Sequence, residues 1–293
     1  YEGCDLIIDI DVDHFYTPCK EDHDSWICKE CGKTGKGMKG KCPQCGSLRL
    51  DKLAWVCETC LEVAKEEIKK LIFDFFVPDF GMNVEDMEVT FSGHRGYHLK
   101  VEDPNVRALS TEARREIVDF VTGENLSLEV LGLQERGSNI YGLVPGNIGW
   151  SAKILTKMEE VLTSWPDGDV ESFLRDLGLT KNPIESLLHS RHDLLRYIKD
   201  ENSSMWSLEG FGLTNWKTLL GGIVHEIGAE IDEPVTIDIH RLIRYPGSLH
   251  GKTGFKVQQI PIGQLDDFNP LESPMEEIDP IVFYGDVSQC IEI

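Results

Sequence analysis

Much of what this 293-residue chain lacks narrows its class before any motif is read. No apolar run approaches the ~18 residues that a membrane-spanning helix needs, which excludes an integral helical membrane protein. No basic segment leads into an apolar stretch near Tyr1, so nothing resembles a secretory signal. Positive charge is scarce: 29 basic side chains face 51 acidic ones, for a net charge of −22. That balance argues against a general nucleic-acid binder, whose footprint is basic, so any phosphate binding must be local. Salt adaptation is also a poor explanation, because Lys still supplies 18 of the 29 basic residues. Disorder is excluded by composition, with 41% hydrophobic and 27% charged residues, and the length suits one large domain or two modest ones.

Cysteine, by contrast, is plentiful and unevenly placed. Seven of the nine cysteines fall between positions 19 and 60, and six of those form C-x-x-C pairs at 28/31, 42/45 and 57/60. Without a secretory signal, such pairs read as zinc ligands in a cytoplasmic protein rather than as disulfides. Cys4 and Cys290 lack partners in the sequence and read as small buried hydrophobes. The apolar stretch DLIIDI reads as a buried strand only a few residues from Tyr1, which leads us to expect a longer parent chain.

Periodicity predicts a strand over 4–11 and a helix from Leu61 to Phe76. Strands follow at Met87–Ser92 and Tyr97–Val101, joined by Gly93-His94-Arg95-Gly96. Residues 105–230 are mainly helical, with amphipathic stretches at 110–123, 151–163, 168–177, 183–198 and 214–229. β character returns over 235–260, and the acidic tail carries one short apolar strand, Ile281–Tyr284.

Three segments carry chemistry. Asp9 and Asp11 alternate with apolar residues, so a strand sets both carboxylates on one face. Two anions that close call for a divalent cation, and hard oxygen donors suit Mg²⁺ or Mn²⁺; a solvated strand end is the plainer alternative. Asp13 continues the spacing beyond the apolar run and carries less weight. Ser92-Gly-His-Arg-Gly-Tyr-His98 is a glycine-flanked turn with cationic and neutral donors, suited to cradling phosphate, or simply a hairpin turn. Arg241–Gly254, RLIRYPGSLHGKTG, gathers Arg241, Arg244, His250 and Lys252 among glycines. Its Gly247-to-Thr253 stretch is one residue too short for a Walker loop.

Together DIDVDHF (9–15), SGHRGYH (92–98) and RLIRYPGSLHGKTG (241–254) resemble the small catalytic subunit of archaeal DNA primase, in the archaeo-eukaryotic primase superfamily. The resemblance implies an α+β fold: a primase core around an RRM-like mixed or antiparallel sheet, an inserted zinc-binding region and a helical subdomain. The corresponding division is 1–18, 61–104 and 230–293 for the core, 19–60 for the zinc region and 105–229 for the helices. It implies two-metal nucleotidyl transfer that makes short primers on a single-stranded DNA template from nucleoside triphosphates, in partnership with a large subunit. Asp9 and Asp11 match the first two catalytic aspartates. Asp232 is favoured as the third over Asp238, for which a capping role is the alternative. Ser92, His94, Arg95 and His98 would face the triphosphate from one side, and Arg244, Ser248, His250 and Lys252 from the other.

The family's zinc knuckle is matched by Cys19, His23, Cys57 and Cys60, the last two abutting the helix. Cys28, Cys31, Cys42 and Cys45 then form an inserted four-cysteine ribbon, for two zinc ions in all. The other pairing remains open, with Cys28 and Cys31 completing the knuckle. Residues 29–52 hold seven basic and two acidic residues, +5 inside a −22 chain, which suggests a template- or partner-contacting module. A solvated lysine-rich loop is the alternative. Two other readings of the whole chain are a stand-alone primase-polymerase of repair or plasmid replication and a noncatalytic zinc-ribbon adaptor.

Overall fold

The strand Leu6–Asp11 (β1) alternates as the sequence predicts: Leu6, Ile8 and Ile10 are fully buried, while Ile7, Asp9 and Asp11 occupy the opposite face. A computed structural model describes residues 3–37, 39–199 and 205–272. The Asp11 carboxylate accepts from the Asp13 amide and turns the chain out of the sheet into a short 3₁₀ turn. A helical turn at Lys20–His23 (α1) leads into Ser25–Cys28 (β2), Thr34–Lys36 (β3) and Leu50–Leu53 (β4), which pair as a small antiparallel sheet in the order β3-β2-β4. This sheet has its own small core of Trp26, Cys28 and Cys42. No strand pattern was legible here, because strands of three or four residues carry too few apolar positions to alternate.

Helix Glu58–Lys69 (α2) begins at Cys57, whose sulfur accepts from the Cys60 amide. It continues as π-helical turns through Lys70–Phe76 and closes with Val77–Phe80 (α3) before Gly81. Strands Met87–Phe91 (β5) and Gly96–Val101 (β6), with the late strand Gln258–Ile260 (β9), complete an antiparallel four-stranded sheet in the order β1-β6-β5-β9. Helix α2 packs on its apolar face, against β1 and β6.

The middle region is helical: Pro104–Arg107 (α4), Thr111–Thr122 (α5), Gly149–Thr163 (α6), Asp167–Asp176 (α7), Lys181–His189 (α8), Arg191–Lys199 (α9) and Leu213–Ile227 (α10). The expected 183–198 helix is two helices that break at Ser190, where the Arg191 guanidinium reaches the carbonyls of Val161, Leu162 and Trp165. A hairpin of Gln134–Arg136 (β7) and Asn139–Tyr141 (β8) was not anticipated, because its first strand is fully exposed and polar. Arg114 of α5 is 1% exposed and donates to the carbonyls of Cys4 and Asp5, fastening the helical region to the start of β1. One hydrophobic core runs from the sheet into these helices.

The expected β character over 235–260 is largely absent. Asp232 and Pro234 start a helical turn, Glu233–Ile237 (α11), in which Pro234 sits where its missing N–H costs nothing. The following loop stays irregular past Pro246 until Gln258–Ile260 (β9), apart from a bridge between Leu249 and Lys256. Cys4 is half-buried, while Ile281–Tyr284 and Cys290 lie outside the described residues. Among the described residues no helix is long and apolar enough to cross a membrane.

Candidate active site and metal centres

The polar face of the sheet carries a carboxylate cluster. Asp9 lies opposite His98 in the β1–β6 register, and His98 Nε2 approaches Asp9 Oδ1 to 3.5 Å. Asp11 lies opposite Gly96, where an added Cβ would stand 2.1 Å from the Ile10 carbonyl oxygen. Only glycine lets β6 run this close to the carboxylate strand. Asp232, at the start of α11, donates its backbone N–H to the Asp9 carbonyl at 2.8 Å, and His14 Nδ1 lies 3.8 Å from its carboxylate. The approach segment is held by Glu67 of α2, which accepts from the Glu230 amide, and by Lys70, which donates to the Gly228 carbonyl. Asp9, Asp11 and Asp232 are thus brought together from positions more than two hundred residues apart in sequence.

Burial, followed by the negative charges of Asp11 and Asp232, pushes the Asp9 carboxyl up to about 7. Burial and mutual repulsion outweigh the lowering effect of His14 and Arg241 there, and the oxygen donors of the cluster fit a hard divalent cation. The acidic group whose ligand atoms lie within 4.8 Å of one another is Asp11, Asp13 and His94, rather than Asp9, Asp11 and Asp232, so Asp13 shares the cluster although it stands beyond the strand. The D-x-D-x-D spacing was the signal that pointed to it.

Basic groups face these carboxylates. The Gly93 backbone adopts φ +83°, and a Cβ there would meet the His250 side chain at 2.7 Å, so glycine lets the two loops touch. The His94 and His250 rings stack at 5.1 Å. The Nδ1 of His250 is engaged by the Lys252 amide and the Thr253 hydroxyl. Burial holds His94, His98 and His250 below the ordinary imidazole range, with His98 at about 4 and Arg244 adding to the shifts of His98 and His250. All three are neutral donors or acceptors at pH 7. A cavity of about 110 Å³ is lined by Asp9, Asp11, Asp13, Ser92, His94, His98, Arg244, His250 and Lys252. A second of about 360 Å³ shares Asp9, Asp11, His98 and Arg244 and adds Asp232, His14 and Arg241.

Arg95, Ser248 and Asp238 do not line these two cavities. The Ser248 hydroxyl donates to the Tyr245 carbonyl in an exposed turn. Asp238 is exposed and accepts from the His240 amide. Arg95 is buried, its Nη1 shared by both Asp24 oxygens at 2.7 and 2.9 Å and its Nη2 on Asp13. Asp24 also accepts from the Trp55 amide at 3.0 Å and contacts His23 Nδ1 at 2.7 Å. Burial alone would raise the Asp24 carboxyl, but the Trp55 amide and the Arg95 guanidinium hold it below the usual carboxylate range. Sequence reasoning passed over Asp24; its position beside a metal-type histidine was the available signal.

The two cysteine groups separate in space. Cys19, His23, Cys57 and Cys60 converge, as do Cys28, Cys31, Cys42 and Cys45, each with its ligand atoms within 4.8 Å. A tetrahedral zinc with bonds of ~2.3 Å sets sulfurs about 3.8 Å apart. Cys19–Cys57 is 3.8 Å, while Cys28–Cys45 and Cys31–Cys42 are each 3.6 Å. His23 faces Cys60 through Nε2 at 3.4 Å and Asp24 through Nδ1, the arrangement of a metal-binding histidine steadied by a carboxylate. Both groups can hold a metal such as zinc.

Carboxylates that repel one another, faced across a cleft by basic side chains, form a site suited to a cation and a polyanion together. Comparison with known sequences gives that site a family. Residues 49–260 match the family model for the DNA primase small subunit, and the chain belongs to that family. Among curated relatives, the DNA primase small subunit PriS of Methanothrix thermoacetophila is 32% identical over 312 aligned positions, covering 100% of this chain and 68% of that protein. PriS of Methanocella arvoryzae is 33% identical over 247, covering 77% and 60%. PriS of Halobacterium salinarum is 31% identical over 288, covering 94% and 64%. The chain therefore spans about 60 to 68% of the length of these relatives.

Proposed function

We propose that this chain carries the catalytic site of a primase, a nucleotidyltransferase that makes short primers on single-stranded DNA from nucleoside triphosphates. The observation that carries the reading is the junction of Asp9, Asp11 and Asp232 with His94, His98, Arg244, His250 and Lys252 around two adjoining cavities. Asp9, Asp11 and Asp232 would hold Mg²⁺ or Mn²⁺, whose chemistry is to acidify an attacking 3′-hydroxyl and to neutralise the leaving pyrophosphate. Arg244 and Lys252 would bind the triphosphate as fixed positive charges. Ser92 and the neutral histidines would orient its oxygens by hydrogen bonding. No protein nucleophile is needed.

The inventory of partners follows the family: a large subunit to complete a heterodimer, a DNA template and a cytoplasmic setting. The two cysteine groups would hold zinc structurally. The division into a catalytic core, a zinc region and a helical subdomain belongs to the same reading, with Arg95 now assigned to positioning rather than to phosphate. Metal-dependent incorporation of labelled nucleotides on an oligothymidylate template tests it. Activity should disappear in Asp9→Asn and Asp11→Asn with zinc content and folding retained. Undiminished incorporation by those variants, or none by the wild-type chain with or without a large subunit, would overturn it.

A further inference from the structure

We propose that the outer face of the β3-β2-β4 sheet, together with Trp55, is a docking surface for an unpaired nucleic-acid strand; this deepens the primase reading and rests on it. The charge excess found in the sequence is not cancelled by folding. Both acids of residues 29–52 are already used, Asp51 by Lys29 at 2.7 Å and Glu30 by Arg49 at 2.6 Å. Among the described residues, Lys33, Lys36, Lys39, Lys41 and Lys52 have no carboxylate partner. Five lysines without a carboxylate partner thus lie in and around this small sheet on a chain of net charge −22; Lys36 is on its outer face, whereas Lys52, opposite Trp26 in the register, is on the inner one.

The sheet also exposes the wrong side chains for an idle surface. Trp26 and Cys28 fill its inner face. Register places Lys36 and Leu53 on either side of Ser25, so with Ile27 they share the outer face. Ile27 is 46% and Leu53 62% exposed, where an antiparallel sheet ordinarily turns polar residues to water. Two residues beyond β4, Trp55 is 59% exposed. Its backbone is clamped on both sides, the N–H by Asp24 and the carbonyl by Arg95 Nη1 at 3.3 Å. Arg95 also holds Asp13 of the carboxylate cluster, so the Trp55 backbone, which carries this indole, stands one guanidinium away from that cluster.

Flat or apolar side chains interleaved with lysines recognise base faces and phosphates in turn, which is the chemistry of a single strand. An acidic protein would need the lysines but not a fixed, exposed indole beside the cleft, so the strand is the better fit.

Fluorescence anisotropy with labelled oligothymidylate across a salt series tests this on the full chain. Neutralising Lys36 to Gln should weaken binding and reduce the log–log salt slope by about 0.7. Trp55→Ala should weaken binding roughly 5- to 100-fold with little change in slope, and Trp55→Phe should recover most of it. Zinc content equal to wild type guards against misfolding, and these side chains are exposed. Wild-type affinity and slope in both variants would remove the surface while leaving the primase reading standing. Strand binding that depends on these residues in a chain unable to incorporate nucleotides would do the reverse. Equal binding of labelled polyglutamate, lost in the same variants, would assign the surface to an acidic protein instead.

Discussion

Arg95→Met is the most informative single perturbation, because one buried guanidinium joins two regions far apart in sequence. Arg95 is 1% exposed and Asp24 2%, so removing the cation strands an anion in the interior. Breaking a buried pair from one side costs about 3–5 kcal/mol. Asp24 keeps the Trp55 amide and His23, which places the loss near the lower end, about 3 kcal/mol. Asp13 is 35% exposed and regains water, so its share is about 1 kcal/mol or less. At roughly 2–4 °C per kcal/mol, this total of about 3–4 kcal/mol should lower the melting temperature by about 6–16 °C. Because Asp24 steadies His23, zinc affinity at Cys19/His23/Cys57/Cys60 should fall roughly 10- to 100-fold. The four-cysteine group should be unaffected. Scanning calorimetry together with zinc release to a chromophoric chelator measures both effects. A shift below about 2 °C with unchanged zinc release would refute the coupling.

Two further outcomes follow from the geometry. His98 is held near 4, so the folded chain refuses a proton that the unfolded chain accepts near 6.5. Its stabilising contribution is full above pH 6.5 and is lost as pH falls toward 4, by about 3 kcal/mol; His98→Gln should flatten that part of a urea-midpoint profile, and an unaltered profile would refute it. Cys45→Ser should lower the zinc count from two to one while the knuckle keeps its metal, as read from cobalt–thiolate absorption; loss of both would show that the groups are not independent.

Local patterns carried much of this structure. The alternation of LIIDID placed Asp9 and Asp11 on one face because a strand's period leaves no other choice. C-x-x-C spacing marked the inner four-cysteine group, whereas Cys19 and His23 of the outer group, which are not spaced that way, came from the family resemblance. Arg95 was legible as a functional cation but not as Asp24's partner. That contact bridges 71 residues, and no local period encodes it. The loop after Asp238 misled for a related reason: its apolar residues suggested strands, while Pro234 and Pro246 and contacts with the Gly93 turn decided its path. Gly96 illustrates the limit, since its need for a missing side chain depends on β1 lying beside it.

The two cysteine groups are nested, one loop inside the other, and nesting favours an order of closure. The outer cage joins Cys19 to Cys60 across 41 positions, whereas the inner joins Cys28 to Cys45 across 17. Closing the inner ring first shortens the path the outer ring must span and eases its closure by about 0.5 kcal/mol. Direction of synthesis reinforces the bias, because all four inner cysteines precede Cys57 and Cys60 along the chain. The ribbon can mature while the knuckle is still incomplete, but the knuckle must wait for the helix that carries its last ligand. Were both groups to bind zinc, loading would be favoured at the inner ring first and then at the outer one, whose His23 contacts the Asp24 held by Arg95.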